Sequence, residues 1–338
     1  MEVRYFEERL RAGLINFFIG DALGAPVEAL HYLLIDKLYG KYGVRGLVKP
    51  SKNHPASSLR PWEITDDTET LLLVIETVFK YKYPKIQDYV KELISWAKER
   101  NILSKYYYGK STKQAVSKLL KGASPEESGI EGDTNGGPVR SVVAGIINPG
   151  NPRYAYRDAI LICKPTHNTS VALSAATLLA SVTSLIMYGV EFENAMRRAV
   201  KYASYGFKSG YLTSAPSVKD RLMLAIKVVN RVRDTYRAAR KLHDLVGPGF
   251  HAAEGVPIAL ALALKLKNDP EEAILAALNM GGDTDTIAAL VGFLTGIYSM
   301  KIANNVWAKE VLSRNKLDVK DLVEKLKAVA IARGYILK

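Results

Sequence analysis

Hydrophobic side chains recur every three to four residues along most of the chain, whereas the alternation typical of half-buried strands is scarce. This spacing places apolar residues on one face of an α-helix. The predicted helices cover residues 5–19, 69–79, 89–97, 111–120, 139–147, 170–187, 192–203, 221–242, 255–266, 270–278, 286–298 and 319–333. Gly, Pro and Ser collect in the connectors, and no low-complexity linker or repeat divides the chain. We therefore predict an all-α fold, with a single compact many-helix domain spanning residues 1–338.

One predicted helix is long and apolar enough to cross a membrane. Residues 169–190 carry no charged side chain and exceed the length that a bilayer requires. The segment is rich in Ser, Thr and Ala, however, and it lacks flanking aromatic belts or an asymmetry of Lys and Arg. We predict a central helix surrounded by other helices, and we expect no membrane partner.

The cysteine content and the N-terminus bear on the class of protein. The only cysteine, Cys163, lies in the apolar stretch AILICKP. A single thiol excludes an internal disulfide framework and a cysteine-based zinc site, and its apolar neighbours predict that it is buried. The N-terminal residues MEVRYFEERLRAGL are charged throughout and do not resemble a signal peptide, so we expect a cytoplasmic protein.

The formal net charge is +13 at pH 7, and the excess is concentrated in residues 80–121 and 219–241. Basic stretches of this kind are found in proteins that bind nucleic acid. Here Lys227, Arg231 and Lys241 project roughly opposite the apolar positions of their helix pattern, which is typical of an ordinary solvated face. We therefore do not expect nucleic acid as a partner, although a basic surface helps to recruit an anionic ligand.

Two stretches, ITDDTETL and GGDTDTIA, concentrate oxygen-bearing side chains just ahead of apolar helix patterns. One such side chain would suffice to cap each helix by accepting its free N–H groups. Several hard oxygen donors in succession also suit a hard cation such as Mg²⁺, and clustered carboxylates would be costly without one. We predict a centre in which four carboxylates hold two metal ions, with capping alone as the alternative. The candidate ligands are Thr65, Asp66, Asp67, Asp283, Asp285 and Thr286.

Two other sites that use Asp-x-Asp fit these residues less well. An EF-hand loop starting at Asp283 would need Gly at its sixth position and Glu at its twelfth, where this chain has Ala288 and Leu294. In phosphatases of the haloacid dehalogenase type, Asp-x-Asp follows a hydrophobic strand. The residues before Asp283, EEAILAALNMGG, instead favour a helix that ends at glycines.

Six motifs, in order along the chain, resemble those of the ADP-ribosylglycohydrolase family. They are GDALGAPVE (residues 20–28), TDDT (65–68), NGGPVR (135–140), THNTSVA (166–172), VGPGFHAAEGVPIAL (246–260) and GGDTDTIAALVGFLTG (281–296). Each motif is weak by itself. Six of them in the family's order, over most of the chain, are a specific signal.

The resemblance implies the all-α fold of the ADP-ribosylglycohydrolase type, with two Mg²⁺ ions, or sometimes Mn²⁺, at the bottom of a cleft. It implies hydrolysis of the bond between ADP-ribose and an acceptor. The expected partner is therefore an ADP-ribosylated protein or a small ADP-ribosyl conjugate. The implied metal ligands are the six side chains that the oxygen pattern already selects. Glu28 would act beyond the metal shell as general acid/base or substrate gate, a metal-bound aspartate such as Asp67 or Asp283 would take the proton, and Asp21 would support its loop.

Further residues are implied as substrate contacts. The glycine pair of NGGPVR precedes Pro138, which is placed like the first residue of a helix, so free N–H groups would face an anion. The contacts to the diphosphate and ribose would be Asn135, Gly136 and Gly137. His167 resembles the family's substrate-facing histidine, with a structural cap or core histidine as the alternative. Gly249 and Phe250 would form the adenosine wall, where an aromatic ring can stack on adenine.

One departure from the family bears on specificity. Members that act on arginine linkages are expected to carry Asp-x-Gly where this chain has Tyr107-Tyr108-Gly109. Serine-linked or other O-linked ADP-ribose is therefore favoured over arginine-linked ADP-ribose. The alternatives are a non-catalytic protein that binds ADP-ribose and metal on the same fold, and a metal-dependent nucleotide phosphohydrolase.

Overall fold

The computed structural model describes residues 2–52, 54, 56–104 and 108–336, and it is helical throughout, with two isolated β-bridges and no β-sheet in this part of the chain. The predicted all-α fold is confirmed. The helices of the described residues are α1 Val3–Gly24, α2 Tyr32–Tyr39, α3 Asp66–Tyr81, α4 Ile86–Arg100, α5 Lys110–Leu120, α6 Pro125–Ser128, α7 Gly136–Arg140, α8 Val142–Ile146, α9 Pro152–Cys163, α10 Ser170–Met187, α11 Phe192–Ser209, α12 Val218–Arg231, α13 Thr235–Leu245, α14 Gly255–Lys265, α15 Pro270–Leu278, α16 Thr284–Ser299, α17 Asn305–Arg314 and α18 Val319–Ala332.

The predicted helices agree with the structure where the apolar pattern is strong, and α10 and α15 have the predicted bounds. The pattern over residues 221–242 is divided between α12 and α13, because Asp234 accepts a hydrogen bond from Arg237 N–H and starts a new helix. The pattern over residues 139–147 is divided between α7 and α8. Helices α2, α6, α9 and α17 were not predicted. In α9 the buried positions are mostly small, including Ala155 and Ala159, so they give a weak hydrophobic signal.

The backbone groups into two compact units. We call residues 1–7, 69–218 and 320–338 the α10 unit, and residues 8–68 and 219–319 the α16 unit, after the central helix of each. The single domain over residues 1–338 stays a prediction.

Helix α10 is the centre of the α10 unit, with α8, α9 and α11 packed around it. It is the one helix among the described residues that has the length and hydropathy of a membrane span, and it is buried along its whole length. Its polar side chains are satisfied inside the protein: Thr177 Oγ1 donates to the carbonyl oxygens of Leu173 and Tyr202, both at 2.8 Å. The prediction of a buried core helix is confirmed, as is the burial of Cys163.

The core of the α16 unit depends on a close antiparallel contact between α1 and α16. A Cβ atom added to Gly20 would lie 2.3 Å from the carbonyl oxygen of Ala288, and one added to Gly24 would lie 2.4 Å from the Cα of Asp285. No side chain fits at either position, so glycine is what allows the two backbones to touch. Helices α14 and α15 cover α16 on its other sides.

Substituting Gly20→Ala should destabilise the protein, although alanine is the better helix former by about 0.5–1 kcal/mol. The added methyl group meets backbone rather than a movable side chain, so α1 and α16 must separate at a cost of about 1–3 kcal/mol. Urea unfolding followed by circular dichroism measures the change. The control is Gly46→Ala, where the added Cβ would meet nothing closer than 3.7 Å. Equal midpoints for the two variants would contradict the tight contact.

Candidate metal centre and substrate loops

The TDDT motif is fixed to α1 by a buried carboxylate. Asp21 accepts hydrogen bonds from the backbone N–H of Thr65 at 3.1–3.2 Å and from the hydroxyl of Thr68. Thr65 in turn caps α3, since its Oγ1 accepts from Asp67 N–H at 3.2 Å. Burial raises the pKa of Asp21, an effect that these hydrogen bonds oppose. Asp21 therefore supports the loop, as expected, and the loop directs Asp66 and Asp67 from the first turn of α3.

The glycine pair of GGDTD makes the turn that places the second cluster. Gly281 and Gly282 have φ values of 80° and 84°, a left-handed conformation that side-chain-bearing residues rarely adopt. A Cβ on Gly282 would lie 2.0 Å from the carbonyl oxygen of Pro248. That same oxygen accepts a hydrogen bond from Asp283 N–H at 2.6 Å. The turn thus ends α15, fixes Asp283 and starts α16 with Asp285 in its first turn.

The structure brings the two predicted clusters together inside the α16 unit. Thr286 Oγ1 donates to Asp67 Oδ2 at 2.6 Å, which joins the start of α16 to the start of α3. Glu28, Asp283 and Asp285 each offer a carboxylate oxygen, and these oxygens lie within 4.8 Å of one another. We expected Glu28 beyond the metal shell, but here it stands close enough to share a cation with the two aspartates.

The position of Glu28 is fixed through main-chain hydrogen bonds of Glu28 and of the two residues that follow it. Ala29 N–H donates to the carbonyl of Gly282 at 2.7 Å, and Gly282 N–H donates to the carbonyl of Leu30 at 3.0 Å. His54 is buried, and its Nδ1 accepts from Ala56 N–H, so its Nε2 carries the proton and donates to the carbonyl of Glu28 at 2.7 Å. These three hydrogen bonds fix the Glu28 backbone beside the GGDTD turn.

The carboxylates of this centre repel one another in a buried environment. Burial, together with the charges of Asp283 and Asp66, raises the pKa of Glu28 to about 8. Burial and neighbouring carboxylates also hold the pKa values of Asp67 and Asp285 well above the ordinary range. A divalent cation would reverse this penalty, and a set made only of oxygen donors is the one that hard cations prefer. The residues present therefore fit a hard divalent metal. The individual ligand assignments stay a prediction.

The predicted diphosphate loop lies in the α10 unit, where it packs on His167. A Cβ on Gly137 would lie 2.7 Å from the Cβ of His167, so glycine is needed for this contact. Helix α7 begins at Gly136, with Asn135 before it and Pro138 as its third residue. Pro138 was therefore wrongly placed as the first residue of that helix. Asn135, Gly136, Gly137 and His167 are brought together, and their contacts with substrate stay a prediction.

His167 is buried, and both of its ring nitrogens have protein partners. Thr134 Oγ1 lies 2.9 Å from its Nε2, and Thr166 Oγ1 lies 2.8 Å from its Nδ1. Burial and the nearby Arg140 guanidinium hold the pKa of His167 well below its usual value, so the ring stays neutral. In this structure His167 supports the Asn135–Gly137 loop. Arg140, which donates to Thr166, is a partner that the sequence reasoning did not assign.

The remaining predicted residues lie in different surroundings. Gly249 and Phe250 belong to the α16 unit, and the Phe250 side chain is 47% exposed, which leaves its ring accessible to a ligand. Tyr107 lies outside the described residues. Its neighbour Tyr108 is buried and donates to Glu69 Oε2 at 2.6 Å.

His54 was missed because it lies in a connector rich in Pro, Ser and Lys that has no periodic pattern.

The family model described as ADP-ribosylglycohydrolase matches residues 2–334 of this chain. The chain belongs to the ADP-ribosylglycohydrolase family. It is 26% identical to YegU of Escherichia coli (strain K12), over 92% of this chain and 94% of that protein. It is 20% identical to the ADP-ribosyl-[dinitrogen reductase] glycohydrolase of Rhodospirillum rubrum, over 96% of this chain and 97% of that protein.

The fold is also found in a solved structure. The chain resembles the ADP-ribosylglycohydrolase-related protein complex with a TM-score of 0.69 and 22% identity, over 97% of this chain and 99% of the other. The expected fold type and the resemblance to the family are thereby confirmed. Members of the family are ADP-ribosyl glycohydrolases, so this chain is a hydrolase that acts on glycosyl bonds.

Removing one charge should separate carboxylate repulsion from metal binding. In Asp285→Asn the amide keeps the size of the side chain, and its oxygen can still accept from Thr286 N–H, as Asp285 Oδ1 does at 2.9 Å. With EDTA present, we expect the variant to melt at or above the wild-type Tm, because less charge is buried. It should lose most of the rise in Tm that Mg²⁺ gives the wild type. Differential scanning fluorimetry measures both effects.

The matched control for this experiment is Glu99→Gln, the same change at an exposed position in the α10 unit. It should behave as the wild type with and without Mg²⁺. A full Mg²⁺-dependent shift in Asp285→Asn would contradict the predicted centre.

Substitutions of His54 should affect metal affinity through the position of Glu28. His54→Leu leaves the buried carbonyl of Glu28 without its donor, whereas His54→Gln keeps an N–H that can reach it. We expect the Leu variant to need about tenfold more Mg²⁺ for half of the full shift in Tm, an effect of the size found for groups just outside the ligands of a metal, because a displaced Glu28 no longer adds its charge beside Asp283 and Asp285. The Gln variant should fall between the Leu variant and the wild type. If the Leu variant titrates like the wild type, His54 does not position Glu28.

Proposed function

We propose that this protein uses two Mg²⁺ ions to hydrolyse the glycosidic bond between ADP-ribose and an acceptor side chain, with release of free ADP-ribose. Mn²⁺ can replace Mg²⁺ in this proposal. The observation that carries it is the convergence of TDDT, GGDTD and Glu28 on one set of buried and half-buried carboxylates, in a chain of the ADP-ribosylglycohydrolase family. The proposed ligands are Thr65, Asp66, Asp67, Asp283, Asp285 and Thr286.

The side chains of the centre suit the two proton transfers that hydrolysis needs. Bound divalent ions supply Lewis-acid polarisation of substrate oxygens. Glu28, whose carboxylate lies beside those of Asp283 and Asp285, would act as the general acid and donate a proton to the leaving acceptor atom as its bond to the anomeric carbon breaks. Asp67 would take the proton of the attacking water as the new carbon–oxygen bond forms. The remaining carboxylates would stabilise the oxocarbenium character of the transition state.

The rest of the substrate would be held by the predicted contacts. The N–H groups of Asn135, Gly136 and Gly137 would bind the diphosphate, in the loop that His167 supports. Phe250 would stack on adenine beside Gly249, which agrees with its exposed ring.

We further propose that O-linked ADP-ribose, such as serine-linked ADP-ribose, is preferred over arginine-linked ADP-ribose. Recognition of a guanidinium calls for a carboxylate. This chain has Tyr107-Tyr108-Gly109 where an Asp-x-Gly is expected for arginine linkages. Tyr108, moreover, already donates its hydroxyl to Glu69.

The proposal is tested with two peptides of one sequence, ADP-ribosylated at the same position on serine or on arginine. The purified protein should release ADP-ribose in a Mg²⁺-dependent manner, and faster from the serine peptide. EDTA and Asp285→Asn should abolish release. Glu28→Gln should lower kcat by about 100-fold or more, since it removes the proton donor. Chromatography of the products measures each rate.

Each competing function predicts a different outcome. Faster release from the arginine peptide would contradict the linkage preference. Phosphate or AMP in place of ADP-ribose would identify a phosphohydrolase. Metal-dependent binding of ADP-ribose, without turnover of either peptide, would identify a binding protein.

A further inference from the structure

Three tyrosines form a stacked cluster on the α10 unit, and none of their side chains is assigned a role above. The Tyr156 ring of α9 lies 5.3 Å from that of Tyr205 on α11, at an interplanar angle of 20°. It lies 5.3 Å from the Tyr202 ring, at 29°. Tyr202 is buried, whereas Tyr205 is 47% exposed. The cluster is therefore an aromatic platform whose most exposed ring is that of Tyr205.

The cluster is surrounded by cations that have no acidic partner. On α11, Arg198, Lys201 and Lys208 share a face with Tyr205, because they are spaced by three or four residues. On α9, Arg153 lies three residues before Tyr156, and Arg157 follows Tyr156 with its guanidinium 5.8 Å from the centroid of the exposed Tyr154 ring. All five are exposed, and none forms an ion pair within the described residues. We call these five cations and three tyrosines the tyrosine face.

Both helices bring positive charge to the rings. Lys201 Nζ lies 5.3 Å from the centroid of the Tyr202 ring. Burial and the two other tyrosines raise the pKa of Tyr202, whereas Arg198 of α11 and Arg153 of α9 lower it, so a guanidinium from each helix acts on this ring.

Negative charge is almost absent from the same two helices. Their acidic residues are Asp158, which is paired with Arg333, and Glu193 in the first turn of α11. The face is therefore complementary to an anion along its length.

We propose that the tyrosine face binds single-stranded nucleic acid. Cations in a row can contact successive phosphates, and an exposed ring among them can stack with an unpaired base. A duplex keeps its bases stacked inside and offers only phosphates, and an acidic polypeptide offers carboxylates but no base to stack. The combination of ring and cations thus favours a single strand. The sequence did not lead us to expect nucleic acid, because the basic stretches evident there, over residues 80–121 and 219–241, have the pattern of solvated helix faces.

The proposal is tested with the full-length protein and labelled oligonucleotides of about 20 residues, longer than the site sizes of single-strand-binding folds. Fluorescence anisotropy gives Kd for single-stranded DNA, single-stranded RNA and a duplex, over about 50–200 mM salt. We expect the single strands to bind more tightly than the duplex. In the triple variant Arg198→Ser, Lys201→Ser, Lys208→Ser, the slope of log K against log salt should become shallower by about two, at about 0.7 for each phosphate that the variant no longer neutralises.

A matched variant distinguishes this face from the net charge of the protein. Lys227→Ser, Arg231→Ser, Lys241→Ser removes the same charge from exposed positions that also lack ion pairs within the described part of the chain. Its binding should stay close to that of the wild type. Equal losses of affinity in the two triple variants would overturn the proposal, because binding would then follow net charge alone. Circular dichroism and Tm confirm that each variant is folded.

The ring is tested separately from the charges. Tyr205→Ala should weaken single-strand binding by about tenfold or more, and Tyr205→Phe should not, since phenylalanine keeps the stacking surface. If Tyr205→Ala binds as the wild type and polyglutamate competes as well as the oligonucleotide, the face recognises acidic polypeptides and the proposal fails. No single-strand binding by the wild type at about 100 mM salt would also overturn it.

Discussion

The close approach of α1 and α16 is the constraint on which the metal centre depends. Gly20 and Gly24 let the backbone of α1 rest on the start of α16, and Thr284 Oγ1 fixes the contact by donating to the carbonyl of Gly24 at 2.8 Å. Helix α1 carries Asp21 and leads into Glu28, and α16 carries Asp285 in its first turn. A larger separation would move the two sets of carboxylates apart, so the spacing of the two backbones decides the spacing of these carboxylates.

That spacing has an electrostatic consequence. Burial and the charges of neighbouring carboxylates raise the pKa values of Glu28, Asp67 and Asp285. Folding alone gains nothing from such an arrangement, because buried like charges oppose it. A cation that binds only the folded chain offsets this cost. Hydrogen bonds to backbone groups, such as those made by Asp21 and His54, hold the carboxylates in place for such a cation.

In the α10 unit the buried polar groups include neutral hydroxyls and a neutral histidine rather than a set of carboxylates. Its central helix buries hydroxyls that donate to nearby carbonyls, and His167 is kept neutral between two threonines. The buried guanidinium of Arg140 donates to Thr166, whereas cations without an acidic partner lie on the surface, where Arg153 and Lys201 flank stacked tyrosine rings. Neutral polar groups in the interior are compatible with rigid packing, while unpaired cations outside are available to a ligand.

The sequence by itself determined the fold class and most of the helices, because apolar spacing and caps such as Asp269 act over a few residues. It also selected Asp67, Asp283 and Asp285 as candidate ligands, since successive oxygen donors before apolar helices suit a hard cation as well as a helix cap. Tertiary structure alone decided that Glu28 stands beside Asp283, that His54 holds it there, and that α9 and α11 join their tyrosines into one face. These contacts join residues that are far apart in the sequence, through backbone carbonyl groups and aromatic rings. Such contacts produce no periodic pattern of residues from which they could be predicted.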